Sequence, residues 1–283
     1  MADHLRLMAV LAHPDDESLG IGGTMARYAS EGVETFLVTA TRGEAGRAGA
    51  SGARTPSELG QVREAELRAA ARELAISEVQ FLNYIDRELD RAQPAEAIEQ
   101  IAGHIRRVRP HVVVTFGPDG AYGHPDHIAI SQLTTAAIVA AAPHRVSKLY
   151  YIAWTGKKWD AYQTALKKLV SVVDGVERQA APWPDWAVNS VIDTGKYWPT
   201  VWRAVSCHKT QMSIYEHLEA LPVEQHHAIW GTQEFYRVFS LVNGGRQTEH
   251  DLFEGLRVSE RGTENKNEAG EPAGAAPQSH RRA

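Results

Sequence analysis

Short apolar runs alternate with helix-forming segments along the first half of this chain, and that alternation constrains its fold more than any other feature. Residues 5–12, 33–39, 79–82, 111–116 and 149–153 read as strands, and 18–30, 58–74, 94–108 and 128–141 read as helices between them. Ile98, Ile101 and Ile105 recur at helical spacing in the third of these helices, and Ser57 is expected to cap the second. Strands joined through helices pair in parallel, because each crossover carries the chain back to the same end of the sheet. The expected fold is therefore α/β: a Rossmann-like, mostly parallel sheet flanked by helices on both faces, with a less regular C-terminal portion. In that portion, 157–185 holds a helix-like stretch and then Pro182-Trp183-Pro184, 189–193 a strand, 196–209 a helix and 235–242 a late strand. From residue 259 the chain loses periodicity and its charges nearly balance, the composition of a disordered tail. The expected organisation is one domain over 1–258, made of a core (1–153) and a pocket-shaping portion (154–258), followed by the tail 259–283.

Composition narrows the function classes. A formal net charge of −5 argues against nucleic acid, which calls for a basic face. The single cysteine, Cys207, forbids an intrachain disulfide and a four-cysteine zinc site, and is expected to be a small buried hydrophobe. No apolar stretch is long enough to span a bilayer, and the N-terminus lacks a basic segment leading into an apolar one, so a cytoplasmic protein is expected.

Two turns carry the chemistry. Ala12-His13-Pro14-Asp15-Asp16-Glu17 follows the first expected strand, and His124-Pro125-Asp126-His127 follows the fourth. An acidic run before a helix often serves as no more than a cap, and a His-Pro step is often only a turn. Two such clusters at equivalent strand-to-helix junctions outweigh those readings, because open parallel sheets bind ligands at the carboxyl ends of their strands. His13, Asp16 and His127 together make the two-imidazole, one-carboxylate set of a hydrolytic zinc site with an open position. Asp15 is then the candidate general base, and His124, as an imidazolium, the candidate for steadying an oxyanion or protonating a leaving amine. Asp126 is expected to orient His124, and Tyr122 to donate to a substrate carbonyl. The long loop 41–55, rich in Gly, Ala, Arg and Ser, is expected to be mobile and functional. His4, His104, His111, His144, His226 and His227 lack such a setting and are expected at the surface or at strand edges.

These residues resemble the PIG-L/LmbE-like superfamily of zinc-dependent N-deacetylases, which includes enzymes of glycosylphosphatidylinositol, mycothiol and bacillithiol synthesis. Ala12 to Glu17 stands as its A-H-P-D-D-E signature and His124 to His127 as its H-P-D-H signature. Thr41-Arg42-Gly43-Glu44-Ala45-Gly46 looks like its loop after the second strand, and His208 with Gln211 like its later H-x-x-Q segment. The similarity spans roughly residues 5–212. It implies one Zn²⁺ on His13, Asp16 and His127, with Fe²⁺ accepted by the same ligands. It also implies Asp15 as base, His124 backed by Asp126, and Arg63 and Asp86 against the substrate. The implied reaction removes acetate from the amide nitrogen of a small N-acetylated amino sugar or its conjugate, and the resemblance leaves room for a homo-oligomer. An amidase acting on a larger thiol conjugate would use the same metal site, and a non-catalytic metal-binding protein would need neither Asp15 nor His124. A nucleotide-binding module fits poorly. Gly20-Ile21-Gly22-Gly23 lacks a third glycine where Met25 stands, and the acidic turn would repel a pyrophosphate.

Overall fold

The computed structural model describes residues 4–49, 52–53, 55–166, 170–173, 175–179 and 181–257; the expected tail lies outside them. The core alternates as expected: β1 (Arg6–Leu11), α1 (Asp16–Ser30), β2 (Glu34–Thr41), α2 (Pro56–Glu73), β3 (Glu78–Tyr84), α3 (Pro94–Val108), β4 (Val112–Phe116), a four-residue turn α4 (Gly120–Gly123), α5 (Pro125–Ala140) and β5 (Lys148–Ile152). Then come α6 (Gly156–Leu166), the hairpin β6 (Ser171–Val173) and β7 (Val176–Arg178), β8 (Ser190–Asp193), α7 (Trp198–Cys207), α8 (Met212–Tyr215), α9 (Val223–Trp230) and β9 (Thr232–Ser240).

The main sheet runs β3-β2-β1-β4-β5-β9-β8. The strands β1 to β5 pair in parallel, β9 lies antiparallel to β5, and β8 antiparallel to β9. Every residue of β4 is buried, and in β1 only Arg6 is not, as expected of strands covered on both faces. One helical layer joins α1, α2 and α7, and a second pairs α3 with α5. From β1 the chain winds outward to β3, then returns through α3 to place β4 on the other side of β1. Loops leaving β1 and β4 therefore diverge, and the crevice between them is the topological switch point where such sheets bind ligands.

Some boundaries differ from the sequence reading, and the differences matter. Helix α1 begins at Asp16 and α5 at Pro125, so Asp16 and His127 stand in first helical turns rather than in loops. Thr55, not Ser57, caps α2: its side chain accepts from Glu58 N, Glu58 answers with a reciprocal bond, and Pro56 takes the first helical position. Cys207 is partly exposed rather than buried, with its thiol donating to Arg203 O. His226 is buried rather than superficial, its ring stacked on Trp198 at 4.4 Å. A second apolar cluster, including Tyr162, Val201, Tyr215 and Trp230, ties α6, α7, α8 and α9 together. Among the described residues no helix is long and apolar enough to cross a membrane.

Candidate metal centre and active site

The two turns meet at the switch point. His13 Nδ1 lies 3.2 Å from His127 Nε2. Asp16 closes the triangle, Oδ1 3.3 Å from His127 Nε2 and Oδ2 3.8 Å from His13 Nδ1. Atoms bound about 2.0–2.1 Å from a tetrahedral cation lie roughly 3.3–3.4 Å apart. The two separations from His127 Nε2 match that spacing, the one between Asp16 and His13 is longer, and all three side chains are nearly fully buried.

The surroundings select which nitrogen of His13 faces this point. Its Nε2 lies 3.0 Å from Asp126 Oδ2 and 3.1 Å from Asp86 Oδ1. Both carboxylates are acceptors, so they hold the proton on Nε2 and leave the Nδ1 lone pair free, the outer-shell arrangement of metal-ligating histidines. Asp126 is itself fixed by the backbone N–H groups of Arg87 and Leu89, at 2.7 and 3.2 Å, and Asp86 by that of Ala45 at 3.1 Å. Two further groupings, His13 with Asp86 and Asp126 and His13 with His124 and His127, also bring potential ligand atoms within 4.8 Å of one another. Burial alone would lower the His13 pKa, but the bonds to Asp126 and Asp86 raise it to about 10. Burial opposes ionisation of Asp16 as well, yet His127 and His13 hold its pKa far below the usual carboxylate range. Such a pocket retains positive charge at neutral pH, either as a proton or as a cation in its place.

Asp15 stands beside this point on a strained backbone, with φ of 110° in a region that side chains other than glycine rarely adopt. Three partners hold it. Its Oδ2 accepts from Arg63 Nη2 at 3.1 Å and from Tyr215 OH at 3.0 Å, and its backbone N–H donates to Glu17 Oε2 at 2.9 Å. Burial raises its pKa against the pull of Arg63. Arg63 also donates to Gly43 O and Pro14 O. A Cβ on Gly43, whose φ is +65°, would collide with that guanidinium, which explains a glycine at this place in the loop after β2.

On the other side, His124 Nδ1 accepts the backbone N–H of Asp126 at 3.2 Å, so the remaining proton sits on Nε2. Burial, then the charges of His13 and His127, push its pKa down to about 3. His124 is therefore a neutral donor here, not the imidazolium expected from sequence. The expected link between Asp126 and His124 runs through the Asp126 backbone N–H, while the Asp126 carboxylate serves His13. Tyr122 lines the same cavity, its ring edge-on to His127 at 5.2 Å, on a turn with the strained Ala121 before it. The cavity measures about 390 Å³. It contains every expected site residue but Asp126, which stands behind His13.

Sequence reasoning missed the supports. Glu17 is fully buried and lies 2.8 Å from His208 Nε2, so the last residue of the first signature meets the first of H-x-x-Q. Burial would lower the His208 pKa, but Glu17 raises it, and the two form a buried ion pair beneath Asp15. Gln211 Nε2 donates to Arg47 O and so ties the loop after β2. The sequence signal for both was the motif, with no role attached. Tyr215 had no signal at all.

Over residues 8–138 the chain matches the family described as PIG-L, GlcNAc-PI de-N-acetylase. A 1D-myo-inositol 2-acetamido-2-deoxy-alpha-D-glucopyranoside deacetylase of Mycobacteroides abscessus is 35% identical, covering 89% of this chain and 99% of the relative. The chain belongs to the PIG-L family. Another PIG-L relative of the same name, from Kineococcus radiotolerans, is 33% identical over 90% of this chain and 84% of its own. Among solved structures, a conserved protein of Thermus thermophilus superposes with a TM-score of 0.61 at 25% identity, over 85% of this chain and 97% of that one. The N,N'-diacetylchitobiose deacetylase of Pyrococcus horikoshii gives 0.61 at 19% identity, over 83% and 84%, a likeness of fold alone.

Proposed function

We propose that this PIG-L chain is a Zn²⁺-dependent N-deacetylase that removes acetate from the amide nitrogen of an N-acetylglucosamine-containing small molecule. The observation that carries the reading is the convergence of His13 Nδ1, His127 Nε2 and Asp16 within 3.8 Å of one another, beside a clamped carboxylate. The names of the relatives support the substrate class.

His13, Asp16 and His127 would hold the ion. A divalent ion bound there supplies Lewis acidity, polarising a carbonyl and making water a stronger acid. Asp15, held by Arg63 and Tyr215, accepts the proton of the attacking water as the C–O bond forms. Its raised pKa suits it to carry that proton and deliver it to the departing amine nitrogen as the C–N bond breaks. His124 offers its Nε2–H to the oxyanion as a neutral donor, which keeps a second positive charge away from the cation. In this reading Arg63 and Asp86 act through Asp15 and His13, while still forming part of the cavity wall. Tyr122 donates to the carbonyl oxygen.

Acetate release from a panel of N-acetylglucosaminides, with the chain loaded with Zn²⁺, tests the proposal. Turnover that disappears with chelator and returns with metal is expected; absence of acetate from every member would refute the reading.

A further inference from the structure

The wall of the cavity is chemically mixed. Ionisable groups surround the candidate metal point, and Arg47, Arg87 and Gln211 also line the cavity. Leu19, Trp154, Leu166, Val170 and Ile214 supply an apolar part of the wall, and all of these but Val170 pack against the second apolar cluster. All but Leu19 lie beyond residue 138, where the match to the family ends. Trp154 follows β5 and stacks on Tyr162, ring centroids 4.3 Å apart and planes 16° from parallel. Two tyrosine hydroxyls of the cavity lining are engaged by the protein: Tyr162 OH donates to Leu19 O at 2.7 Å, and Tyr215 OH to Asp15 at 3.0 Å. Leu19, Leu166, Val170 and Ile214 carry no side-chain donor or acceptor. A polyhydroxylated group seated there would surrender its water without finding replacement partners, whereas an apolar group would gain from leaving water.

We infer that the substrate's amino sugar carries an apolar aglycone, seated on Trp154, Leu166, Val170 and Ile214, rather than the polar cyclitol that the relatives' names specify. The inference rests on the deacetylase reading for the amide end of the site. The chemistry of the apolar wall selects the aglycone.

Binding of three deacetylated products separates the two readings, because it needs no turnover. Titration calorimetry on the full chain loaded with Zn²⁺ compares glucosamine glycosides bearing cyclohexyl, inositol and methyl groups; cyclohexyl and inositol share a ring and differ in hydroxyls. The cyclohexyl glycoside is expected to bind at least about tenfold more tightly than the inositol glycoside, with the more negative heat-capacity change of apolar burial. Ile214→Asn and Leu166→Asn are each expected to bring the ratio within about threefold. Equal or tighter binding of the inositol glycoside to the unmodified chain overturns the inference, and so does a ratio that neither folded variant moves. Acetate release from the N-acetylated counterparts, measured in parallel, reports on the deacetylase reading alone.

Discussion

A single carboxylate, Asp15, joins most of the site's structural supports. Its strained φ, its two side-chain donors and the Glu17 contact to its backbone all hold one oxygen-bearing group beside the three candidate metal donors. Asp15→Asn keeps the shape and removes the base. Its metal content by elemental analysis should stay near that of the parent while kcat falls about 10²–10⁴-fold. His127→Ala should do the reverse to the metal, lowering bound Zn²⁺ sharply, and full stoichiometry there would contradict the ligand assignment. Tyr215→Phe removes a donor to the ionised form of Asp15, so the Asp15 pKa should rise. Activity requires the ionised base, so the acid limb of kcat/KM should move to higher pH by roughly one unit. An unmoved limb would show that Tyr215 does not act through Asp15.

Helix starts bring the ligands into place. Asp16 lies in the first turn of α1, which follows β1, and His127 in the first turn of α5, which follows β4 and the turn α4. A carboxylate in a first turn is favoured by the helix dipole, so the positions that suit a cap also suit a ligand. Helix α2 presents Arg63 to Asp15, and its own start is set by the Thr55–Glu58 capping box. Thr55→Ala should cost about 1 kcal/mol of stability in denaturant titration, with metal content unchanged. No loss would mean that Pro56 and packing suffice to start the helix.

Across the whole molecule, a buried ionic knot fastens the chain's last described segment to the sheet. Glu249, 1% exposed, accepts from Lys148 and Arg237 at 2.7 Å each, from Tyr150 OH at 2.6 Å and from Ser190 Oγ at 2.9 Å. It thereby links β5, β8 and β9. Burial opposes its ionisation, but the bonds from Lys148, Tyr150 and Asn243 prevail and hold its pKa at about 2. A depressed carboxylate pKa stabilises the fold above the unfolded-state value and loses that contribution as pH falls toward the folded one. The contribution, on the order of 3 kcal/mol, should therefore be complete above roughly pH 5 and fade toward pH 2. Glu249→Gln leaves two buried cations without their counter-charge. It should lose roughly 3–5 kcal/mol at pH 6 and show a flatter stability profile between pH 5 and 3. A profile as steep as the parent's would place the acid sensitivity elsewhere.

Much of this was legible along the chain. Buried parallel strands are short continuous apolar runs, so β1, β4 and β5 announce themselves locally, and the two motifs mark the ends of β1 and β4. Periodicity, cap chemistry and residue type are properties of neighbours in sequence, and so the α/β class, the candidate metal donors and the candidate base could be read there. The partner of each donor could not. The Asp126 carboxylate turned to His13 while its backbone N–H serves His124, Arg63 and Tyr215 turned to Asp15, and Glu17 to His208, because these pairings depend on how distant elements pack. Whether His124 carries charge follows from burial beside two other imidazoles, which only packing creates. The sequence thus determined which groups were available and at which strand ends they emerge. Tertiary structure decided which of them touch and how far each is removed from water, because pKa and hydrogen bonding depend on distance through space, which chain order alone does not set.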